Sequence, residues 1–148
     1  MNSEGALDHV VYLDSKSNEM ENLLNGKKTM IIRGATGRKL PYGRVNKGDI
    51  LYFINNNAEG NVKAKATVSS VFNSDKMSEE ESISLVKNNQ KVLQLTDKQF
   101  QKWGGKRYIV LIGVLNVEEI DSFIIDKSNY GNMDDWLPVG NIESVKKI

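Results

Sequence analysis

Two extended segments limit what this chain can become. Residues 62–72 read VKAKATVSSVF, with Val62, Ala64, Ala66 and Val68 alternating against Lys63, Lys65 and Thr67, the period of a strand with one wet face. Residues 107–120, RYIVLIGVLNVEEI, are the longest apolar run and predict a central strand. Between them lie two helix starts, each announced by a capping box: Ser78 with Glu81, and Thr96 with Gln99. Gly104 and Gly105 stop the second helix. Glu79, Glu80 and Glu81 crowd a first helical turn, where they complement the helix dipole and do not read as paired catalytic carboxylates.

The earlier part of the chain adds further strands. LDHVVYLD (7–14) alternates Leu7, His9, Val11 and Leu13 on one face, which predicts an inward-facing, satisfied imidazole at His9. SKSNEMENLLNG predicts a helix capped by Ser15 or Ser17 and stopped at Gly26. TMIIRG reads as a short strand, and 34–48, with four glycines and a proline, as a surface loop. DILYFINN is a strand turned by NNNAEGN into the alternating one, FIID is a further short strand, and the tail from Asp134 reads as irregular. Hairpin spacing and helices in two clumps predict an α+β fold, a small mixed β-barrel with flanking helices plugging its ends. A doubly wound sheet is the alternative.

At 148 residues the chain has the size of one domain, residues 1–148. Without cysteine and with one histidine, there is no disulfide, no credible zinc site and no thiol nucleophile, and a Ser-His-Asp triad could use only His9. Neither a metal nor another cofactor is expected. The N-terminus has acids where a signal peptide wants basic residues, and no apolar run is long enough to span a bilayer, so the expectation is a cytoplasmic protein with no membrane partner.

Charge is unevenly placed. Between Asn22 and Gly48 stand Lys27, Lys28, Arg33, Arg38, Lys39, Arg44 and Lys47 with no carboxylate, although the formal net charge of the chain is only +1. Such a cluster is expected to fold into one hollow open to an anion. Arg33 is the first candidate, because guanidinium grips phosphate or a base edge with two parallel hydrogen bonds. The competing possibility is a carboxylate partner from the acid-rich segment 117–135, which holds Glu118, Glu119, Asp121, Asp126, Asp134 and Asp135 against Lys127. Arg38, Lys39 and Arg44 around Tyr42 suit single-stranded nucleic acid, the cations on the backbone and a base on the ring. Trp136, after two acids and before Leu137 and Pro138, can close a cleft wall, whereas Trp103 with Phe100 reads as core; burial as packing is the default for both. Gly34 to Gly37 spells Gly-x-x-Gly but follows a strand and lacks the flanking helices of a phosphate-clamping loop.

The string GKKTMIIR, followed by NKGDILYFI, resembles the ASCH branch of the PUA-like superfamily, in which a helix precedes a Gly-x-Lys-Thr-x-x-x-Arg strand and a later Gly-Asp opens the next. The matching positions are Gly26, Lys28, Thr29, Arg33, Gly48 and Asp49. The resemblance implies a PUA-like barrel with a cleft lined by that Lys and Arg, receiving RNA or a nucleobase-containing small molecule. It also implies an alternative, since some such proteins are amidohydrolases acting on acetylated cytidine through a Lys, a Thr and a Glu. Lys28 matches the Lys, but Ile31 stands at the position of the Thr. The expected binding set is Lys28, Thr29, Arg33, Arg38, Lys39, Tyr42, Arg44 and Trp136.

Overall fold

The computed structural model describes residues 6–126 and 135–147. Lys127 and Asp134 of the acidic segment lie outside them. Six strands, β1 (Asp8–Leu13), β2 (Met30–Ala35), β3 (Ile50–Asn55), β4 (Asn61–Asn73), β5 (Tyr108–Ile124) and β6 (Trp136–Gly140), form one sheet in the order β2-β5-β4-β3-β1-β6. Only β1 and β3 pair in parallel; the other neighbours are antiparallel. The sheet curls, so that β2 at one end comes within hydrogen-bond reach of β1 near the other. The α+β class and the mixed sheet are as predicted, the small barrel taking the form of a half-barrel.

Inside the curl Val11, Leu13, Ile31, Leu51, Phe53, Ala64, Ala66, Val68, Val110 and Ile112 form the core, closed by Met20 and Leu23 from helix α1 (Glu19–Leu24). Each large side chain buried here stabilises the fold by about 1.5–3 kcal/mol. The alternation in β4 holds residue by residue: Val62, Ala64, Ala66 and Val68 are buried and the residues between them half-buried. A second apolar layer lies outside β2 and β5, where Ile32, Ile109 and Leu111 pack on Val86 of α2 (Glu79–Asn88), Leu93 of α3 (Gln90–Leu93), and Phe100 and Trp103 of α4 (Asp97–Trp103). Both capping boxes form, Ser78 with Glu81 and Thr96 with Gln99.

Four details differ from the sequence reading. Asp14, not Ser15 or Ser17, caps the first helical turn by accepting from Lys16 N at 3.0 Å, and a left-handed Asn18 then separates that 3-10 turn from α1. Helix α3 was not foreseen, being a single turn with no side-chain cap. FIID is not a separate strand, because β5 runs on to Ile124. The tail is not irregular: β6 pairs antiparallel with β1, and as an edge strand it can carry Pro138, which has no N–H to donate.

The Gly48-Asp49 step has a physical reason. Gly48 turns the chain at φ +95°, a conformation that costs an L-residue about 1–2 kcal/mol. Asp49 is fully buried, and its carboxylate accepts from Leu7 N (3.0 Å), Asn46 N (2.9 Å) and His9 Nε2 (2.8 Å). On its other side His9 Nδ1 accepts from Trp136 Nε1 at 3.1 Å. The indole can only donate, which assigns the imidazole proton to Nε2 and ties β1, β3 and β6 into one network. His9 is thus the satisfied, inward-facing residue the alternation predicts. Asp49→Ala orphans the fully buried His9 Nε2 donor and two part-buried amides, and is expected to lower the unfolding free energy by about 3 kcal/mol, against about 1–2 kcal/mol for Gly48→Ala; urea unfolding of both variants checks the order.

Candidate binding cleft

The open seam between β2 and β1 carries a cleft of about 700 Å³, lined among others by Tyr12, Asp14, Glu19, Arg33, Gln99, Trp103 and Asp135. Lys16, Lys98 and Lys102 also line it, each exposed. At its wall Arg33 spans the seam. Its Nη2 donates to Tyr12 O at 2.7 Å and its Nη1 to Ile32 O at 2.8 Å. The guanidinium carbon stands 5.7 Å from the ring centroids of both Trp103 and Trp136, within cation–π range. Asp135 Oδ2 lies 3.2 Å from Arg33 Nε, an ion-pair distance, yet off the line a hydrogen bond needs, so the buried Nε–H makes no hydrogen bond.

Lys28 lies behind this wall, not on it. It is 1% exposed, donates to Leu93 O, and faces Glu19 Oε2 at 3.4 Å. Burial pushes its pKa below the ordinary value, opposed by the Glu19 charge. Glu19 also accepts from Asp14 N at 2.9 Å, so the carboxylate at the cleft is held from two sides.

The basic stretch does not converge on this cleft; Arg33 meets Lys39 and Tyr42 only at a separate, far smaller hollow. Of its seven cations only Arg33 lines the cleft. Arg38, Lys39 and Arg44 are exposed on the following loop, where Arg38 stands 5.8 Å and 5.5 Å from the ring centroids of Tyr42 and Tyr108. The Tyr42 hydroxyl donates to Ser74 O at 2.6 Å, and its ring meets Tyr108 edge to face. Thr29 is exposed at the start of β2, its amide on Val92 O, away from the cleft. Trp136 is 1% exposed and bonded to His9, so the indole lining the cleft is Trp103, which also packs on the outer apolar layer. The sequence reading missed Trp103 as a wall, together with the exposed lysines Lys98 and Lys102. The signal available was their spacing on α4, with Lys98 and Lys102 one turn apart and Trp103 next to them.

The matches to solved structures run over nearly the whole molecule. ASCH from Zymomonas mobilis superposes with a TM-score of 0.68 at 14% identity over 93% of this chain and 90% of that one. Two single-substitution variants of the same protein superpose equally, covering 93% and 91% of their chains. The chain has an ASCH-type fold. No family model matches the sequence, and no curated protein matches it, so the likeness lies in backbone geometry.

The Lys28–Glu19 pair yields a pH-dependent prediction. The folded pKa of Lys28 lies below its unfolded value, so between the two the unfolded chain holds a proton that the folded chain has lost. The cost of the buried ammonium is therefore full below the folded pKa and relieved as pH rises toward the ordinary value of 10.5. Glu19→Gln strips that ammonium of its counter-ion and is expected to cost about 3–5 kcal/mol at pH 7. Part of this should return at pH 10, and urea unfolding at both values measures it against the wild type.

Proposed function

We propose that the chain is a single PUA-like binding module whose seam cleft receives RNA or a nucleobase-containing ligand. The observation that carries this reading is a fixed guanidinium beside an open indole, Arg33 and Trp103, in one cleft with three exposed lysines at 16, 98 and 102. A base is a flat, polarisable ring joined to an anionic backbone, and this cleft offers a stacking face and cations together. Its volume suits one small ligand or one extruded nucleotide. Arg38, Lys39 and Arg44, on the loop that leaves β2, are assigned to the backbone of a longer strand, with Tyr42 beneath Arg38 supporting it. Lys28 and Trp136 serve the ligand through Glu19 and Arg33, the groups they hold, and Thr29 sits at the start of the strand that presents Arg33. A cytoplasmic location is part of this reading. Among the described residues no helix is long and apolar enough to cross a membrane.

An amidohydrolase acting on acetylated cytidine is the second reading. Its support is the buried lysine with a lowered pKa behind a cleft carboxylate. Against it, Ile31 fills the position where the resemblance puts a hydroxyl, and that side chain is fully buried in the core. Release of acetate from acetylcytidine decides this reading; no turnover removes it.

For the binding reading, titration of short single-stranded RNA at several salt concentrations should give a slope of about −0.7 per phosphate engaged, roughly −2 if the three cleft lysines each take one. Trp103→Ala is expected to weaken binding by about 1–3 kcal/mol. Binding without salt dependence, or unchanged in both Trp103→Ala and a Lys98→Ala, Lys102→Ala double variant, would falsify the assignment of this cleft.

A further inference from the structure

We propose that Arg33 Nε marks an oxyanion subsite of the cleft, taking a phosphate or carboxylate group, and that Asp135 occupies it in the free protein as a displaceable internal counter-ion. The inference rests on the cleft being a ligand site, as argued above, but not on the ligand being a nucleobase.

The argument starts from the donors of Arg33. A guanidinium has five N–H groups. One on Nη1 and one on Nη2 are fixed to main-chain carbonyls, and the guanidinium carbon lies 5.7 Å from the ring centroids of two indoles, Trp103 and Trp136. It is held too firmly to follow a badly placed partner. Its Nε–H, on a side chain only 8% exposed, is left without a hydrogen bond, although a buried unmade bond of this kind is costly. The neighbouring carboxylate at 3.2 Å supplies charge but not alignment.

The two partners differ in freedom. Asp135 has a side chain 45% exposed, and its main chain is anchored separately, its carbonyl accepting from Tyr12 N at 3.0 Å. Its carboxylate can therefore swing into water without disturbing the strand that follows. The other two cleft carboxylates are already engaged: Asp14 accepts from Lys16 N and Ser17 Oγ, and Glu19 from Asp14 N with Lys28 at 3.4 Å. Among the described residues Asp135 is the cleft carboxylate whose side chain makes no hydrogen bond. An incoming phosphate or carboxylate, steered by Lys16, Lys98 and Lys102, can align an oxygen on Nε and release Asp135.

Inorganic phosphate and a nucleoside monophosphate, titrated separately into the full chain and followed by tryptophan fluorescence, test this. Asp135→Asn retains the main-chain anchor and removes the competing charge, so both anions should bind about fivefold more tightly than to the wild type, the scale of a half-exposed ion pair. Asp135→Ser should behave alike. Equal or weaker anion binding in both variants overturns the proposal. A structure of the wild type with phosphate gives a readout independent of any variant: the anion on Arg33 Nε with Asp135 turned away supports displacement, and the anion bound with Asp135 still at Nε overturns it. Tighter phosphate binding in the variants with no affinity for RNA in any of them upholds the subsite while removing the nucleobase reading.

Discussion

The Arg33 bridge across the seam is the contact on which the site depends. A half-barrel built from six strands in the order found here has two edge strands, β2 and β6, and no backbone ladder joins β2 to β1, the strand next to the second edge. Arg33 substitutes side-chain donors for that ladder by reaching Tyr12 O. The seam thereby stays together yet incompletely filled, and the space left is the cleft. Two aromatic residues from distant parts of the chain, Trp103 of helix α4 and Trp136 of strand β6, each place a ring centroid 5.7 Å from the same guanidinium carbon, so both elements meet the charge that the cleft presents.

Behind this contact the polar interior is unusually committed. Trp136 is fixed by His9, His9 by Asp49, and Asp49 by two backbone amides. Because each member spends its hydrogen-bonding capacity on the next, a displacement of Trp136 would leave a buried donor or acceptor unmatched. The aromatic wall behind Arg33 is therefore stiff, whereas Trp103 is half-buried, lines the cleft and has Lys102 Nζ 4.7 Å from its ring centroid.

Much of the fold was legible because local and tertiary signals agreed. The alternation of Val62, Ala64, Ala66 and Val68 is met by burial, and both capping boxes and the left-handed Gly26 by local hydrogen bonds and backbone conformation. Strand β6 was hidden because Pro138 and Gly140 lower strand propensity in isolation, and the partner that overrides them, β1, lies more than a hundred residues away. The capping role passed from serine to Asp14 for a similar reason: an ionised carboxylate next to Lys16 N also accepts from Ser17 Oγ, so one side chain closes the turn that either serine was expected to cap.

The site was less legible, since clustering along the chain says nothing about where counter-ions lie. Lys28 and Arg33 are five positions apart, but on folding each acquires a carboxylate of its own, Glu19 from the preceding helix and Asp135 from the approach to the last strand. Seven neighbouring cations thus become one buried ion pair, one seam bridge and a set of exposed loop charges. The positive charge of the cleft comes instead from Lys16, which stands between Asp14 and Glu19, and from Lys98 and Lys102, which follow Asp97. A linear count registers net charge, whereas a ligand meets only the charges whose partners are missing or loose. In this cleft the loosest partner is also the nearest to the most rigid cation, and that pairing gives the seam a chemical polarity that strand order alone would not.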